Sequence, residues 1–451
     1  MAGYFGFRFL YRNQPLSLYY YAVPRLCLNL MGFWPGPLQW RALVHFVVLA
    51  IGVATELHAG FSFARAGKIT MALETFCPAG TSAVTLLKMF FMLRYRQDLL
   101  YVLTHQRQLL FQKKPLSVEK KQLMRRHSEM AARFNFWPLS AGFFTCTMYN
   151  LKPILLAMLL YLQGRSDAIA WSTTPFNMTM PRWLLHAPYF PLTYMFIAYT
   201  GYVTIFMFGG CDAFYFEFCV HTATLFNFLQ ADTRALFRPY KGLAQMIGLR
   251  STRFEASLVQ LIERHNKIFE LTHFFRQRYA IITLAHFVSA SMVIGFSIFN
   301  LLTVGGSGLG TLLYVGYTVA ALSQLVIYCY GGTLVTESVS AIRLFGGVPI
   351  DCLSISFVAE RSTGHRDEHL SVAPVPAQAS ALCVSLHHAV AARPHHGRAI
   401  LLALVGHLCR YTANIWFYYR TGQVFSNLIS SSAQSDKYIA INVKPNQILI
   451  A

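Results

Sequence analysis

The sequence of 451 residues contains few charged side chains. Only 12% of its residues are Asp, Glu, Lys or Arg, whereas 55% are hydrophobic and 15% aromatic. Soluble domains carry about a quarter charged residues. With a mean hydropathy of +0.41, the chain has too little charge to cover the two or three soluble domains that its length would allow. The composition therefore excludes an ordinary soluble protein and indicates a membrane protein.

Motifs of enzymes and metal proteins are also missing. The nine cysteines form no C-x-x-C pair, and most lie in or beside apolar stretches, where cysteine acts as a small buried hydrophobe. This spacing predicts neither a disulfide framework nor a zinc site. Outside a histidine-rich tail there is no Gly-rich phosphate loop, metal-ligand spacing or catalytic constellation. We therefore expect no enzyme activity and no cofactor.

The N-terminal residues contain no acidic side chain and resemble no cleavable signal peptide. The first apolar stretch follows four arginines, Arg8, Arg12, Arg25 and Arg41. A signal peptide has a short charged region directly before its apolar core. Residues 1–41 are therefore predicted to form a cytoplasmic segment.

Seven apolar stretches approach the length of about 20 residues that crosses a bilayer: 42–61, 77–93, 136–162, 187–211, 279–304, 309–330 and 399–419. Some contain charged residues, among them Glu56 in the first, Lys88 in the second, Lys152 in the third and Arg410 in the seventh. A single cation costs roughly 3 kcal/mol on insertion scales, so these spans need help from neighbouring helices. The pattern predicts an all-α polytopic membrane protein with seven transmembrane helices, of which six lie within residues 42–338.

The charge of the loops predicts the orientation. Residues 94–133 hold ten cations and three acids, and residues 212–278 hold nine cations and six acids, whereas the alternate loops are nearly free of cations. Cations are retained on the cytoplasmic side, so the N-terminus and the loops after spans two, four and six are predicted to be cytoplasmic. The net charge of +20 then reflects basic loops beside anionic lipid of the bilayer, and no nucleic acid partner is expected.

One sequon agrees with this orientation. Asn177-Met178-Thr179 is an N-glycosylation sequence in the loop after span three, which the charge pattern places outside. Asn177 is therefore a predicted glycosylation site.

The stretch 324–338, "QLVIYCYGGTLVTES", combines an intramembrane amide with paired glycines. Gln324 would be costly against lipid, so it faces either a neighbouring helix or a wet cavity. Gly331 and Gly332 allow a close approach of helices or a bend.

Three motifs occur in order along this seven-span pattern: "PYFPLTYMFIAY" at 188–199, "RHNKIFEL" at 264–271 and "YCYGGTLVTES" at 328–338. Together with the basic loop after span two, the chain resembles the insect odorant receptor family over residues 10 to 338. The resemblance implies an odorant-specific subunit of a ligand-gated, nonselective cation channel in the plasma membrane of a sensory neuron. It also implies a hetero-tetramer with a co-receptor subunit, a pore lined by the last span, and a pocket among spans two, three, four and six.

A pocket for a volatile small molecule needs aromatic and aliphatic walls with a polar handle, because burial of apolar surface gains roughly 25 cal/mol per Å². Candidate ligand-binding residues lie on these four spans, and those of span four share one helix face at i, i+4 and i+7: Met89, Phe90, Phe143, Phe144, Thr147, Met195, Tyr199, Tyr202, Tyr314 and Tyr317. For each of them, core packing against another helix is the alternative.

Residues 258–275 predict an amphipathic intracellular helix, of the kind that forms the anchor in the family. Apolar side chains and one histidine recur at steps of three and four residues: Leu258, Leu261, Ile262, His265, Ile268, Phe269 and Phe275. Either an intracellular helical hairpin or a contact between subunits accounts for this stripe.

The resemblance stops after Ser338. Residues 339–398 are rich in His, Ala and Pro, and five of the sixteen histidines lie within about thirty residues. Adjacent histidines point apart, so a metal site is disfavoured. The bases of residues 397–418, read out of phase with permitted codons, can spell a peptide like the family's final span. We therefore hypothesise a frame error or mis-joined exon, with 399–451 holding the seventh span and tail.

Three other classes of membrane protein are alternatives. A gustatory-type channel subunit belongs to the same superfamily. A G-protein-coupled receptor predicts an extracellular N-terminus and an Asp/Glu-Arg-Tyr-like turn after span three, which the sequence after Leu162 lacks. A transporter predicts an inverted repeat of broken spans, and none is evident.

Overall fold

The computed structural model describes residues 9, 14–111, 116–165, 167, 173–237, 252–303 and 308–344. These residues are helical or irregular and contain no β-strand. The helices are α1 (Leu16–Tyr19), α2 (Ala22–Met31), α3 (Trp40–Arg65), α4 (Ile69–Arg94), α5 (Arg96–Leu110), α6 (Val118–Leu162), α7 (Phe190–Phe237), α8 (Thr252–Thr303) and α9 (Gly308–Leu344), with a 3₁₀ turn at Arg182–Leu185.

Six of these helices, α3, α4, α6, α7, α8 and α9, are long and apolar enough to cross a membrane. They coincide with the six spans predicted within residues 42–338, and the all-α polytopic fold is confirmed. The predicted boundary at residue 338 lies inside α9, which continues to Leu344. The predicted seventh span at 399–419, the histidine-rich segment beyond Leu344 and the tail lie outside the described residues.

Three helices are much longer than the predicted spans. The helices α6, α7 and α8 contain 45, 48 and 52 residues, so α8 extends about 78 Å at 1.5 Å per residue. The hydrocarbon core of a bilayer is only about 30 Å thick. Their charged ends therefore project beyond the membrane, where Met124, Phe226 and Ile268 pack together with Leu110 of α5.

The N-terminal segment packs against this same projecting end. The Tyr20 hydroxyl donates to the Leu103 carbonyl at 3.3 Å, and the Tyr21 hydroxyl donates to Gln106 Oε1 at 2.8 Å. Burial raises the pKa of Tyr21 well above its usual value, so the phenol keeps the proton that it donates. The segment thus lies on the same side as the basic loop after span two, as the charge pattern predicts.

The amphipathic stripe predicted at residues 258–275 forms the first part of α8. Leu258, Ile268 and Phe275 are buried, as expected. Phe269 is 59% exposed, so its place in the buried stripe was wrong; Leu271, two residues further on, is buried instead. Because Ile268 packs beside Phe226 of α7, the projecting ends of α7 and α8 lie together as a helical pair.

Gly331 permits close packing of α9 on α7. A Cβ atom at this position would lie 3.3 Å from Cys219 Cβ and 3.3 Å from Phe216 Cδ2. A side chain there would force the two helices apart. The predicted close approach at the paired glycines is therefore confirmed at Gly331.

Candidate functional site

A cavity of about 70 Å³ lies among the membrane helices, between α3, α4, α6, α7, α8 and α9. A space of roughly 10–15 Å³ already admits one water on this measure, so this cavity has room for a small molecule or several waters. Its aromatic walls are Tyr149, Phe176, Phe208 and Tyr317. Its polar side chains include Glu56, Ser82, Thr204, Ser289 and Gln324.

Phe176 lines the cavity from the segment that precedes α7. Its ring stacks on Tyr149 at 5.4 Å between centroids with an interplanar angle of 13°, and Tyr149 meets Tyr317 edge-on at 5.5 Å. Such contacts are worth about 0.5–1.5 kcal/mol beyond burial. The three rings thus form one continuous aromatic wall.

Hydrogen bonds hold the segment that contains Phe176 against the helices. The Asn177 side-chain amide donates to Thr75 Oγ1 at 3.1 Å, and the Thr179 backbone N–H donates to the Thr55 carbonyl at 3.2 Å. Glycosylation of Asn177 stays a prediction. The amide nitrogen that would carry the sugar is the one that bonds Thr75.

Gly201 on α7 leaves the space in which Phe176 sits. A Cβ atom at this position would lie 3.0 Å from Cys146 Sγ and 3.0 Å from Phe176 Cε2. Any other residue would displace the ring or narrow the cavity.

Phe208 separates the cavity from a cation. The ammonium of Lys88 lies 3.6 Å from the centroid of the Phe208 ring, while the ring also lines the cavity. The face of an aromatic ring attracts a cation. The ring is therefore a shared wall between the apolar cavity and a charged cluster.

Of the ten predicted ligand-binding residues, Tyr317 lines this cavity. Thr147, Tyr202 and Phe143 lie together but outside its lining: the Thr147 and Tyr202 hydroxyls are 3.2 Å apart, and the Phe143 and Tyr202 rings are 5.5 Å apart. Tyr314 is buried without lining the cavity.

The other predicted residues do not line the cavity. Met89 is fully buried in the main apolar core. Phe90, Phe144, Met195 and Tyr199 are exposed, as side chains that contact lipid or another subunit would be, and the Tyr199 hydroxyl is 2.8 Å from His45 Nδ1. Ligand contact by these residues stays a prediction, because none of them lines the cavity.

Sequence reasoning missed most of the cavity wall. Tyr149 and Phe208 lie on predicted spans, but their spacing alone does not distinguish inward from outward faces. Phe176 lies in a loop, for which helical periodicity carries no signal. Glu56 gave the clearest signal, because a carboxyl within an apolar span is costly without a functional or structural reason.

Comparisons with known proteins agree on one family. The 7tm Odorant receptor family matches residues 68–344, more than half of the chain. The chain is 63% identical to Odorant receptor 10a of Drosophila melanogaster over 335 residues, which are 73% of this chain and 82% of that receptor. It is 32% identical to Odorant receptor 24a of the same organism over 339 residues, 74% of this chain and 83% of that one.

The chain belongs to the odorant receptor family. Solved structures agree in fold: the insect olfactory receptor OR5 from Machilis hrabei matches with a TM-score of 0.58 at 13% identity, over 87% of this chain and 96% of that chain. OR5 has also been solved in complex with eugenol, with a TM-score of 0.58 at 14% identity over 76% and 89% of the two chains. The receptor is thus a multi-pass membrane protein and not an enzyme.

Behind Phe208, the receptor buries a charged cluster that joins four membrane helices. Lys88 Nζ of α4 is 2.5 Å from Asp212 Oδ1 of α7 and 3.3 Å from His286 Nδ1 of α8, and the Tyr328 hydroxyl of α9 donates to Asp212 Oδ1 at 2.7 Å. The His286 ring stacks on Tyr328 at 4.4 Å. All four side chains are almost fully buried.

This cluster explains how α4 tolerates a cation. The carboxylate of Asp212 neutralises Lys88, and the ammonium donates to His286, so the charge does not face lipid. Because the cluster joins α4, α7, α8 and α9, it also fixes the helices that surround the cavity. In the part of the chain that the structure describes, no group of three or more His, Cys, Asp or Glu side chains could hold a metal ion.

Proposed function

We propose that the receptor is the odorant-specific subunit of an odorant-gated, nonselective cation channel, and that the cavity behind Phe176 binds the odorant. The aromatic-walled cavity at the junction of six membrane helices carries this proposal. A volatile molecule gains affinity chiefly by burying apolar surface, at roughly 25 cal/mol per Å². The rings of Tyr149, Phe176, Phe208 and Tyr317 supply such a surface.

The relatives support a ligand of this kind. OR5, which shares the fold, has been solved with eugenol, a small aromatic molecule. We propose a volatile ligand of similar or smaller size for this receptor. Its binding would displace the walls of the cavity and so reach the helices that the Lys88 cluster joins.

For the partner, we propose a shared co-receptor subunit in a hetero-tetramer. The projecting end of α8 leaves two large apolar side chains uncovered, Val259 at 53% and Phe269 at 59% exposure. A contiguous apolar surface outside the membrane marks a protein contact. These residues are therefore our candidates for the surface where subunits meet.

This function can be tested by recording current from cells that express the receptor together with a co-receptor subunit. We expect an odour-evoked cation current without added G protein. Phe176→Ala should raise the half-maximal odorant concentration by roughly tenfold, the equivalent of about 1.4 kcal/mol, because it removes one wall of the cavity. Phe144→Ala is the matched control, since Phe144 is exposed and does not line the cavity.

Two outcomes contradict the proposal. A current that requires G-protein signalling would favour a different class of receptor. Equal dose–response shifts in Phe176→Ala and Phe144→Ala, at matched surface expression, would show that the cavity is not the odorant site.

A further inference from the structure

Among the described residues that line the cavity, Glu56 is the only charged one. It lies within α3 and is only 3% exposed. Acidic side chains are almost never fully buried unless they are paired. The position therefore requires a reason other than packing.

No ion pair accounts for Glu56. Within the described residues, the other acids of the membrane helices near the cavity have cationic partners: Asp212 pairs with Lys88 at 2.5 Å, and Glu74 pairs with Lys152 at 3.3 Å. Glu56 is in no such pair. Its carboxyl group lies beside the Ser82 side chain, and its Oε2 atom is buried without a hydrogen-bond partner in the part of the chain that the structure describes. A buried polar atom left in this way is destabilising.

We infer that Glu56 is the polar anchor of the odorant and selects ligands that carry a hydroxyl group. This inference rests on the proposed function of the cavity. The aromatic wall of Tyr149, Phe176 and Tyr317 holds the apolar body of the ligand. A rotation of the Glu56 side chain brings its carboxyl group, whose Oε2 is otherwise buried and without a partner, to the hydroxyl of the ligand.

A hydroxyl fits this carboxyl in either of its protonation states. An ionised carboxylate only accepts hydrogen bonds, and a neutral carboxyl also donates one. A hydroxyl donates and accepts, so it satisfies both forms. A carbonyl satisfies only the neutral form, and a hydrocarbon satisfies neither.

Dose–response curves with matched ligand pairs test the inference. Suitable pairs are benzyl alcohol with ethylbenzene and 1-hexanol with heptane, because the members of each pair have the same number of heavy atoms. In the receptor co-expressed with a co-receptor subunit, Glu56→Met keeps the length of the side chain but removes its hydrogen bonding. We expect it to raise the half-maximal concentration of the active alcohol by roughly tenfold or more, with little change for the hydrocarbon.

Two further variants separate anchoring from structure. Glu56→Gln keeps a donor and an acceptor at the same length, so it should retain most of the sensitivity to the alcohol. Glu74→Gln is the matched control, because Glu74 faces Lys152 and does not line the cavity; it should leave both ligands unchanged. Surface labelling confirms that all variants reach the membrane.

Each adverse outcome has a distinct meaning. If Glu56→Met shifts the alcohol and the hydrocarbon equally, or shifts neither, the anchor is wrong while the proposed channel function stands. A wild-type receptor that responds to the hydrocarbons but not to the alcohols also overturns the anchor. A wild-type receptor that reaches the surface and gives no current with any odorant contradicts the proposed function, and the anchor falls with it.

Discussion

Lys88 shows how much one residue depends on partners that are distant in the sequence. In the sequence it interrupts the second apolar stretch. In the fold it meets Asp212, which is 124 residues further along the chain, and His286, which is 198 residues further. Removal of one member of a buried ion pair leaves the other charge uncompensated, which typically costs about 3–5 kcal/mol.

We therefore expect Lys88→Met to destabilise the receptor by about 3–5 kcal/mol, because Asp212 would remain buried without a cation. The measurement is the thermal unfolding of the receptor in detergent, together with its abundance at the cell surface. Lys152→Met is the matched control: Lys152 and Glu74 are 36% and 30% exposed, and partly exposed pairs contribute about 0–1 kcal/mol. Equal losses in the two variants would contradict a special role for the buried cluster.

At the scale of elements, the receptor depends on helices that continue far beyond the membrane. The helices α6, α7 and α8 bring their polar ends to one side, where they pack with α5 and the N-terminal segment. Within the membrane, the same α7 packs closely against α9 at Gly331. One long helix thus takes part in both the cavity and the projecting helical pair.

Gly331→Leu should separate α7 from α9 and destabilise the receptor by about 1–3 kcal/mol, as overpacking does. The expected result is a lower unfolding temperature and less receptor at the surface. Gly332→Leu is the control on the adjacent position, because a Cβ there meets only Tyr215 Oη at 4.0 Å. A Gly332→Leu variant as unstable as Gly331→Leu would show that helix packing at Gly331 is not the cause.

For the whole molecule, the contacts fix which segments share a side. The N-terminal segment packs on α5 through Tyr20 and Tyr21, and α5 belongs to the basic loop after span two. Which side faces the cytosol rests on the excess of Lys and Arg in that loop. The contacts of the N-terminal segment and the cation excess of the loop together predict a cytoplasmic N-terminus.

An epitope tag at the N-terminus checks this prediction. We expect antibody staining only after the cells are permeabilised, whereas a tag in the segment between α6 and α7 should be stained on intact cells. The reversed pattern would overturn the orientation, and with it the assignment of the projecting helical pair to the cytoplasm.

The sequence by itself determined the membrane class, six helices and the odorant receptor family. These features follow from local composition: apolar length predicts a span, and the motifs at 188–199, 264–271 and 328–338 need no tertiary contact to be read. The sequence also indicated that Gln324 faces either a helix or a cavity, and it lines the cavity. It indicated as well a close approach of helices at the paired glycines, which occurs at Gly331. It predicted too short a length for α6, α7 and α8, because hydropathy registers only the apolar part of a helix.

Only the tertiary structure decided which faces of the helices point inward. Most faces of these membrane helices are apolar, so periodicity does not distinguish an exposed Phe144 from a cavity-lining Phe208. Phe176 reaches the cavity from a loop, and Glu56 and Lys88 acquire their roles from the presence or absence of a partner on another helix. The physical reason is that burial and pairing are relations between distant segments, whereas the sequence displays only what is adjacent.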